Sequence, residues 1–132
     1  MIHYRICESP DKRINLKRLL KWGKAECKKY GVPISNFVDD EVLVCKRKDF
    51  YAITDRFQHN RFKITVSTTA FERYKDNMFG WKNLILHELC HTIRGCYNHR
   101  HQWKSWVSKL NEQGYKISQY PYSIKKSRGF EC

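Results

Sequence analysis

Apolar residues recur at helical spacing in the first quarter of the chain, between about Ile14 and Tyr30. Side chains three or four positions apart share one face of an α-helix, so this spacing predicts a helix. The preceding S-P-D-K-R segment suits a helix start, and Gly31 followed by Pro33 suits a stop. Gly23 lies on the apolar stripe, which consists of Leu16, Leu19, Leu20, Cys27 and Tyr30.

The pattern changes after residue 40 to short runs that are rich in β-branched and aromatic residues. Residues 41–45, 50–57 and 61–68 have the composition of β-strands, and the Q-H-N tripeptide between the last two suits a hairpin turn. The segment 71–79 fits neither pattern clearly and is compatible with a turn of helix. We therefore expect a small antiparallel sheet in the middle of the chain.

Two more helices are predicted in the second half of the chain. The first runs from about Gly80 to Ile93, and Gly95 suits its stop. The second runs from about His101 to Gln113. Its apolar stripe consists of Trp103, Trp106, Val107 and Leu110. An extended basic tail follows. The order of helix, small sheet, helix, helix and tail predicts an α+β fold.

The length of 132 residues suits one compact domain over the whole chain, residues 1–132. The N-terminal segment lacks the apolar region of a secretory signal, and no apolar run approaches the ~20 residues of a membrane-spanning helix. We therefore expect an intracellular protein without a membrane partner. Its six cysteines should then be mostly reduced. The sequence contains no C-x-x-C pair, which argues against a separate zinc knuckle.

The formal net charge of +13 adds a class of partner to this picture, because such a charge attracts polyanions. Nucleic acid is the usual partner, an anionic membrane is second, and a merely solvated surface is the plain alternative. Candidate DNA contacts on the first helix are Lys17, Lys21, Lys24 and Lys28. Further candidates are Lys46, Arg47 and Lys48, together with residues 124–128. Binding of DNA by these groups would weaken steeply with added salt.

Four of the six histidines lie within one short segment, and two of them have the spacing H-E-x-x-H. His87 and His91 project from one face of the predicted helix, where two imidazoles can share a zinc ion at ~2.0–2.1 Å. Glu88 lies one step round the helix, so it can reach a water molecule at the metal without being a ligand. A catalytic zinc needs a third protein ligand, for which His99 and His101 are the candidates.

Residues 84–117, which read LILHELCHTIRGCYNHRHQWKSWVSKLNEQGYKI, resemble the SprT-like zinc metallopeptidase family, which includes the Spartan DNA–protein crosslink proteases. That family combines H-E-x-x-H with a short loop and a third histidine, followed four residues later by an aromatic on the next helix. His99 and Trp103 match that spacing, which favours His99 over His101 as the third ligand. The upstream basic helix and hairpin also fit, so the resemblance implies a zincin-like fold.

The resemblance implies a zinc-dependent metalloprotease that cleaves DNA-bound or DNA-crosslinked proteins. Zinc would be held by His87, His91 and His99, while Glu88 would take a proton from the attacking water and pass it to the leaving amine. The sequence departs from the family at two points. Arg100 replaces the glycine that many members have after the third histidine, and the four-cysteine zinc ribbon of many members is absent or truncated.

Two other functions stay open on the sequence. One is a zinc peptidase without any role at DNA. The other is a nucleic-acid-binding module with a structural zinc, which would need a fourth protein ligand from Cys90, Cys96 or His101. For Cys90 we favour a buried core position over a role as a ligand or a redox switch.

Overall fold

A computed structural model describes residues 5–119 of the 132-residue chain. In that range four helices pack with one small sheet, so the predicted α+β class is confirmed, while the zincin-like fold stays a prediction. The helices are α1 (Leu16–Lys29), α2 (Thr68–Tyr74), α3 (Met78–Cys90) and α4 (His101–Asn111). The strands are β1 (Ile6–Cys7), β2 (Leu43–Cys45), β3 (Ala52–Phe57) and β4 (Arg61–Ser67). The predicted basic cluster at 124–128 lies outside the described residues.

Helix α1 begins and ends close to the residues that its sequence indicates. The side chain of Asn15 accepts a hydrogen bond from a backbone N–H of the first turn at 3.0 Å and so caps the helix. Beyond the C-terminus, Gly31 has a φ of 72°, a left-handed conformation that glycine adopts without strain. At Gly23 an added Cβ would lie 2.8 Å from side-chain atoms of both Ile85 and Leu89. Helix α1 therefore packs closely against α3.

The sheet has the strand order β1-β2-β4-β3 and is mixed, so the prediction of a purely antiparallel sheet is wrong. Strands β3 and β4 form the expected antiparallel hairpin around a 3-10 turn at Gln58–Asn60. The short strand β2 instead pairs in parallel with β4, with Leu43 opposite Thr65 and Cys45 opposite Ser67. The hairpin places β4 between β2 and β3. After β2 the chain therefore passes to β3 at the edge of the sheet and then returns as β4 to lie next to β2. Strand composition gives no sign of this crossing.

The ambiguous segment 71–79 contains the end of α2, a turn and the start of α3. The side chain of Asn77 caps α3 by accepting a hydrogen bond from the backbone N–H of Gly80 at 3.3 Å, so the helix begins before the predicted Gly80. It also ends earlier than predicted, at Cys90. His91 is the C-terminal cap and keeps helical angles, with φ −70° and ψ −13°. The two histidines of the motif, His87 and His91, therefore still lie on the same face of the helix.

The second half of α3 is buried on every side. All residues from Leu84 to Cys90 are buried, including the polar His87 and Glu88, which are each 0 % exposed. Helix α3 contacts α1, α2, α4 and β3, as is typical of a helix in a domain core. Burial of polar side chains costs free energy unless partners compensate for the lost water. The partners of these two residues therefore define the site described below.

Within residues 5–119, no helix is both long enough and apolar enough to cross a membrane.

Candidate metal centre

Three buried histidines converge at the C-terminal end of α3. His87 and His91 project from this end of the helix, and His99 comes from the loop between α3 and α4. Nε2 of His99 lies 2.9 Å from Nε2 of His91 and 3.0 Å from Nε2 of His87. Ligands at ~2.0–2.1 Å from a tetrahedral zinc lie about 3.3 Å from one another, so the three nitrogens are close to this arrangement. These side chains could therefore hold a metal ion.

Backbone carbonyl groups orient two of the three imidazole rings. Nδ1 of His87 lies 2.8 Å from the carbonyl oxygen of Ser118, and Nδ1 of His91 lies 3.1 Å from that of Cys96. A carbonyl oxygen only accepts hydrogen bonds, so each Nδ1 must carry the hydrogen atom and donate the hydrogen bond. The lone pair of the neutral imidazole is then on Nε2, which faces the centre of the cluster. This tautomer is the one that binds a metal ion through Nε2.

The indole of Trp103 lies against all three rings. Its centroid is 5.5 Å from that of His91 in a stacked arrangement, and 4.9 Å from His87 and 4.6 Å from His99 in edge-on arrangements. Trp103 is 1 % exposed, so it has no free face for a nucleic-acid base. Because α4 supplies this indole, the packing of α4 against α3 restricts the orientations that the three imidazoles can adopt.

Glu88 places one carboxylate oxygen beside the histidines. Its Oε1 accepts a 2.7 Å hydrogen bond from the hydroxyl of Thr54 on β3, and that hydroxyl also lies 3.1 Å from the backbone carbonyl oxygen of Glu88. Its Oε2 lies 3.9 Å from Nε2 of His87 and has no hydrogen-bond partner among residues 5–119. Buried carboxylate oxygens are normally hydrogen-bonded, so this one indicates a place for a group that the described residues do not supply.

Burial also changes the proton affinity of this carboxyl group. It raises the pKa of Glu88 to about 8, while the hydrogen bond from Thr54 opposes the rise and the negative charge of Asp55 adds to it. A cation held by the histidines would favour the ionised form and so oppose this rise. A carboxyl group whose pKa is raised from its ordinary value towards neutrality is suited to accepting and returning a proton.

A cleft of about 340 Å³ opens onto the cluster between β3 and the loop that contains His99. Strand β3 is an edge strand of the described sheet, because it pairs with β4 on one side only. The cleft is lined by Ile53, Thr54, Arg56, Phe62, His91, Tyr97, Asn98 and His99. An extended peptide that pairs with an edge strand gains backbone hydrogen bonds and places its side chains in neighbouring pockets. The cleft thus connects the exposed edge strand with the histidines.

The structure brings together four predicted site residues: His87, Glu88, His91 and His99. The alternative third ligand, His101, is the exposed first residue of α4 and is outside the cluster. Cys90 is buried, as expected for a core cysteine, and its burial raises the pKa of the thiol well above the ordinary value. Cys96 takes part through its carbonyl group. Within the described residues, no fourth His, Cys, Asp or Glu joins the three histidines.

Sequence reasoning missed three groups that support the site: the hydroxyl of Thr54 and the carbonyl groups of Cys96 and Ser118. The two carbonyl groups have no sequence signal, because every residue has one. Thr54 lies in a run with strand composition, where a threonine is expected for its shape alone. Only the contact between β3 and α3 distinguishes it from the other threonines.

The basic residues proposed for DNA binding are not among those that line the cleft at the histidines, and their surroundings differ. Five of the seven that the structure describes are exposed: Lys17, Lys21, Lys28, Lys46 and Lys48. Nζ of Lys24 lies 2.8 Å from a carboxylate oxygen of Asp40 and 2.8 Å from the carbonyl oxygen of Val38. Arg47 forms a salt bridge with Asp49. Lys24 and Arg47 are therefore weaker candidates for phosphate contacts than the exposed lysines.

Comparison of the chain with protein-family models, with curated proteins and with solved structures finds no match. The case for a function therefore rests on the motif and on the geometry of the site.

Proposed function

We propose that this chain is a zinc-dependent metalloprotease of the type that the SprT-like resemblance implies. The observation on which the proposal rests is the convergence of three imidazole Nε2 atoms beside Oε2 of Glu88, which has no hydrogen-bond partner among residues 5–119. Three protein ligands are typical of a catalytic zinc, which keeps its fourth position open, whereas a structural zinc has four. The absence of a fourth ligand side chain among residues 5–119 favours the catalytic alternative.

The chemistry of the ligand set supports zinc as the metal. Imidazole nitrogen suits zinc, and three neutral ligands leave the double positive charge of the ion uncompensated. When bound, zinc lowers the pKa of a water molecule towards ~7 and polarises the scissile carbonyl group. His87 and His91 are already oriented for this by their Nδ1 hydrogen bonds to carbonyl oxygens.

Glu88 is the general base and general acid of the proposed reaction. Its Oε2 accepts a proton from the attacking water, and the carboxyl group then donates that proton to the leaving amine. Thr54 holds Oε1 at 2.7 Å, so the side chain cannot turn Oε2 away from the histidines without breaking a buried hydrogen bond. The 0 % exposure of Glu88 limits proton exchange with bulk water during the reaction.

We also propose that the substrates are proteins bound or crosslinked to DNA. The formal charge of +13 and the exposed lysines of α1 support this part of the proposal. Helix α1 packs directly on α3, so DNA held on the exposed face of α1 would be attached to the same rigid unit as the histidines. A zinc peptidase without a role at DNA would have the same metal centre, and only DNA dependence separates the two functions.

The test compares the wild-type chain with Glu88→Gln, both loaded with zinc. Each protein is incubated with a basic DNA-binding protein, with and without single-stranded DNA, and cleavage of the substrate and of the enzyme itself is followed. Glu72→Gln is the matched control, because it removes an exposed carboxylate of α2. Zinc content is measured for all three proteins.

We expect the wild type and Glu72→Gln to cleave the substrate only when DNA is present. Glu88→Gln should bind zinc fully but should not cleave. Cleavage without DNA that is lost in Glu88→Gln would indicate a peptidase with no DNA role. Equal cleavage by Glu88→Gln would contradict the mechanism. No cleavage by any variant, with salt-sensitive DNA binding by all, would instead indicate a binding module with a structural zinc.

A further inference from the structure

Arg56 is the one permanently charged side chain among the described residues that line the cleft. It lies on β3 two residues after Thr54, and alternate residues of a strand share one face of the sheet. Thr54 contacts Glu88, so this face of the strand is the one turned towards the histidines. At a rise of ~3.3 Å per residue, the α-carbons of Thr54 and Arg56 are about 7 Å apart. A cation therefore lies at the mouth of the cleft, close to the reacting groups.

The guanidinium group of Arg56 is held in place but not neutralised. Its Cζ lies 4.7 Å from the centroid of the Tyr97 ring, and its Nη2 donates a 2.7 Å hydrogen bond to the side-chain oxygen of Asn60. Both partners are uncharged. In the described part of the chain, Arg56 forms no ion pair with a carboxylate. Stacking on an aromatic ring leaves the edge of the guanidinium group available for further hydrogen bonds.

The neighbouring cations on β4, unlike Arg56 within the described residues, are paired with a carboxylate. Arg61 and Lys63 both pair with Asp39, at 3.3 Å and 3.5 Å respectively. Asp55 lies next to Arg56 in sequence, but alternation along the strand turns it to the opposite face. The local carboxylates are thus engaged or turned away, and the positive charge of Arg56 remains directed to the cleft.

We infer that Arg56, supported by Tyr97, selects protein segments with an acidic side chain within about two residues of the scissile bond. This inference rests on the proposed peptidase function and adds a substrate preference to it. A carboxylate can accept two parallel hydrogen bonds from a guanidinium group, which makes arginine the side chain best suited to this recognition. The apolar Phe62, which lies opposite Arg56 on β4 and lines the same cleft, would contact the aliphatic part of a glutamate.

The expected effect is moderate because Arg56 is exposed to solvent and salt. We expect kcat/KM to be about fivefold higher for a peptide with glutamate at the preferred position than for the same peptide with glutamine. That ratio corresponds to about 1 kcal/mol, at ~1.4 kcal/mol per factor of ten.

The test uses fluorogenic peptides with blocked ends and one variable position, either two residues before or two residues after the scissile bond. The variable residue is glutamate, glutamine or lysine, and a further peptide ends in a free carboxylate at the second position after the bond. The zinc-loaded wild type is compared with Arg56→Gln and Arg56→Glu, each with and without single-stranded DNA. The matched control is Arg18→Glu, which makes the same charge change on the exposed face of α1.

We expect the glutamate-to-glutamine ratio to fall to about one in Arg56→Gln and lysine to become preferred in Arg56→Glu, whereas Arg18→Glu keeps the wild-type ratio. If only the peptide with the free terminal carboxylate shows a preference, the site recognises chain ends and not acidic side chains. Hydrolysis of all peptides at equal rates by the wild type would overturn the inference and leave the peptidase intact. No hydrolysis of any peptide by the zinc-loaded wild type, either with or without single-stranded DNA, would overturn both.

Discussion

The metal centre and the basic face of α1 lie on helices in direct contact, yet their charged and polar groups are held in opposite ways. His87, Glu88 and His99 are almost fully buried, and backbone or side-chain groups from other parts of the chain restrain the motif residues. Lys17 and Lys28 are exposed. The difference indicates that substitutions in the centre have large and specific effects, whereas substitutions on α1 have small effects that add up.

The largest effect is expected for His91→Ala, because this change removes one of three ligands from a buried site. Zinc should no longer bind tightly, peptide hydrolysis should fall to background, and added zinc should no longer raise the melting temperature. Metal analysis and thermal unfolding check this. His101→Ala is the control, since His101 is exposed and outside the cluster, and it should keep wild-type zinc content. Loss of zinc from His101→Ala instead of His91→Ala would assign the ligands differently.

Thr54→Val should have the next largest effect. Valine keeps the shape of threonine but leaves Oε1 of Glu88 without its 2.7 Å hydrogen bond, so the carboxylate is no longer oriented. Loss of such an outer partner of a metal site commonly lowers activity ~10–100-fold. We expect the fall in kcat, with KM and zinc content little changed, and recovery of most activity in Thr54→Ser. Equal losses in the serine and valine variants would mean that Thr54 acts through packing alone.

The contact between the two helices can be tested at Gly23. An added Cβ would lie 2.8 Å from Cγ2 of Ile85, a buried atom on a branched side chain that has little freedom to move. Overpacking of this kind costs ~1–3 kcal/mol, which exceeds the gain of ~1 kcal/mol from replacing a helical glycine. Gly23→Ala should therefore lower the free energy of unfolding by about 1 kcal/mol in urea denaturation. The exposed Lys21→Ala should change it by less than ~0.5 kcal/mol.

The smallest single effects are expected on α1. Replacing Lys17, Lys21 and Lys28 together by alanine should weaken binding of single-stranded DNA and reduce the slope of log affinity against log salt by about 2. Lys24→Ala should change the slope less than Lys28→Ala, because Lys24 is bound to Asp40. Salt titrations of DNA binding measure both, and zinc content should stay constant. An unchanged slope in the triple variant would place the DNA contacts elsewhere.

Helices α1, α3 and α4 were predictable to within a few residues because apolar spacing and capping residues are local properties of the sequence, whereas the short α2 was not predicted. Asn15 lies at the start of α1 and Gly31 follows its end, and both act through contacts within a few residues. Helix α3 starts at Met78, earlier than predicted, because Asn77 caps it. The pairing of β2 with β4 was not predictable, because the parallel register depends on which strand of the hairpin lies next to β2. Strand composition is the same in either arrangement.

In the candidate site, too, local relations were predictable from the sequence and contacts between distant segments were not. The sequence by itself determined that His87 and His91 share one face of a helix with Glu88 beside them, since a period of 3.6 residues fixes that relation. Only the tertiary structure decided that His99 joins them, because its ring meets His91 and Trp103 through contacts between the loop, α3 and α4. It also decided that a threonine from a distant strand orients the carboxylate. Contacts of this kind form between segments far apart in sequence, where no local pattern specifies them.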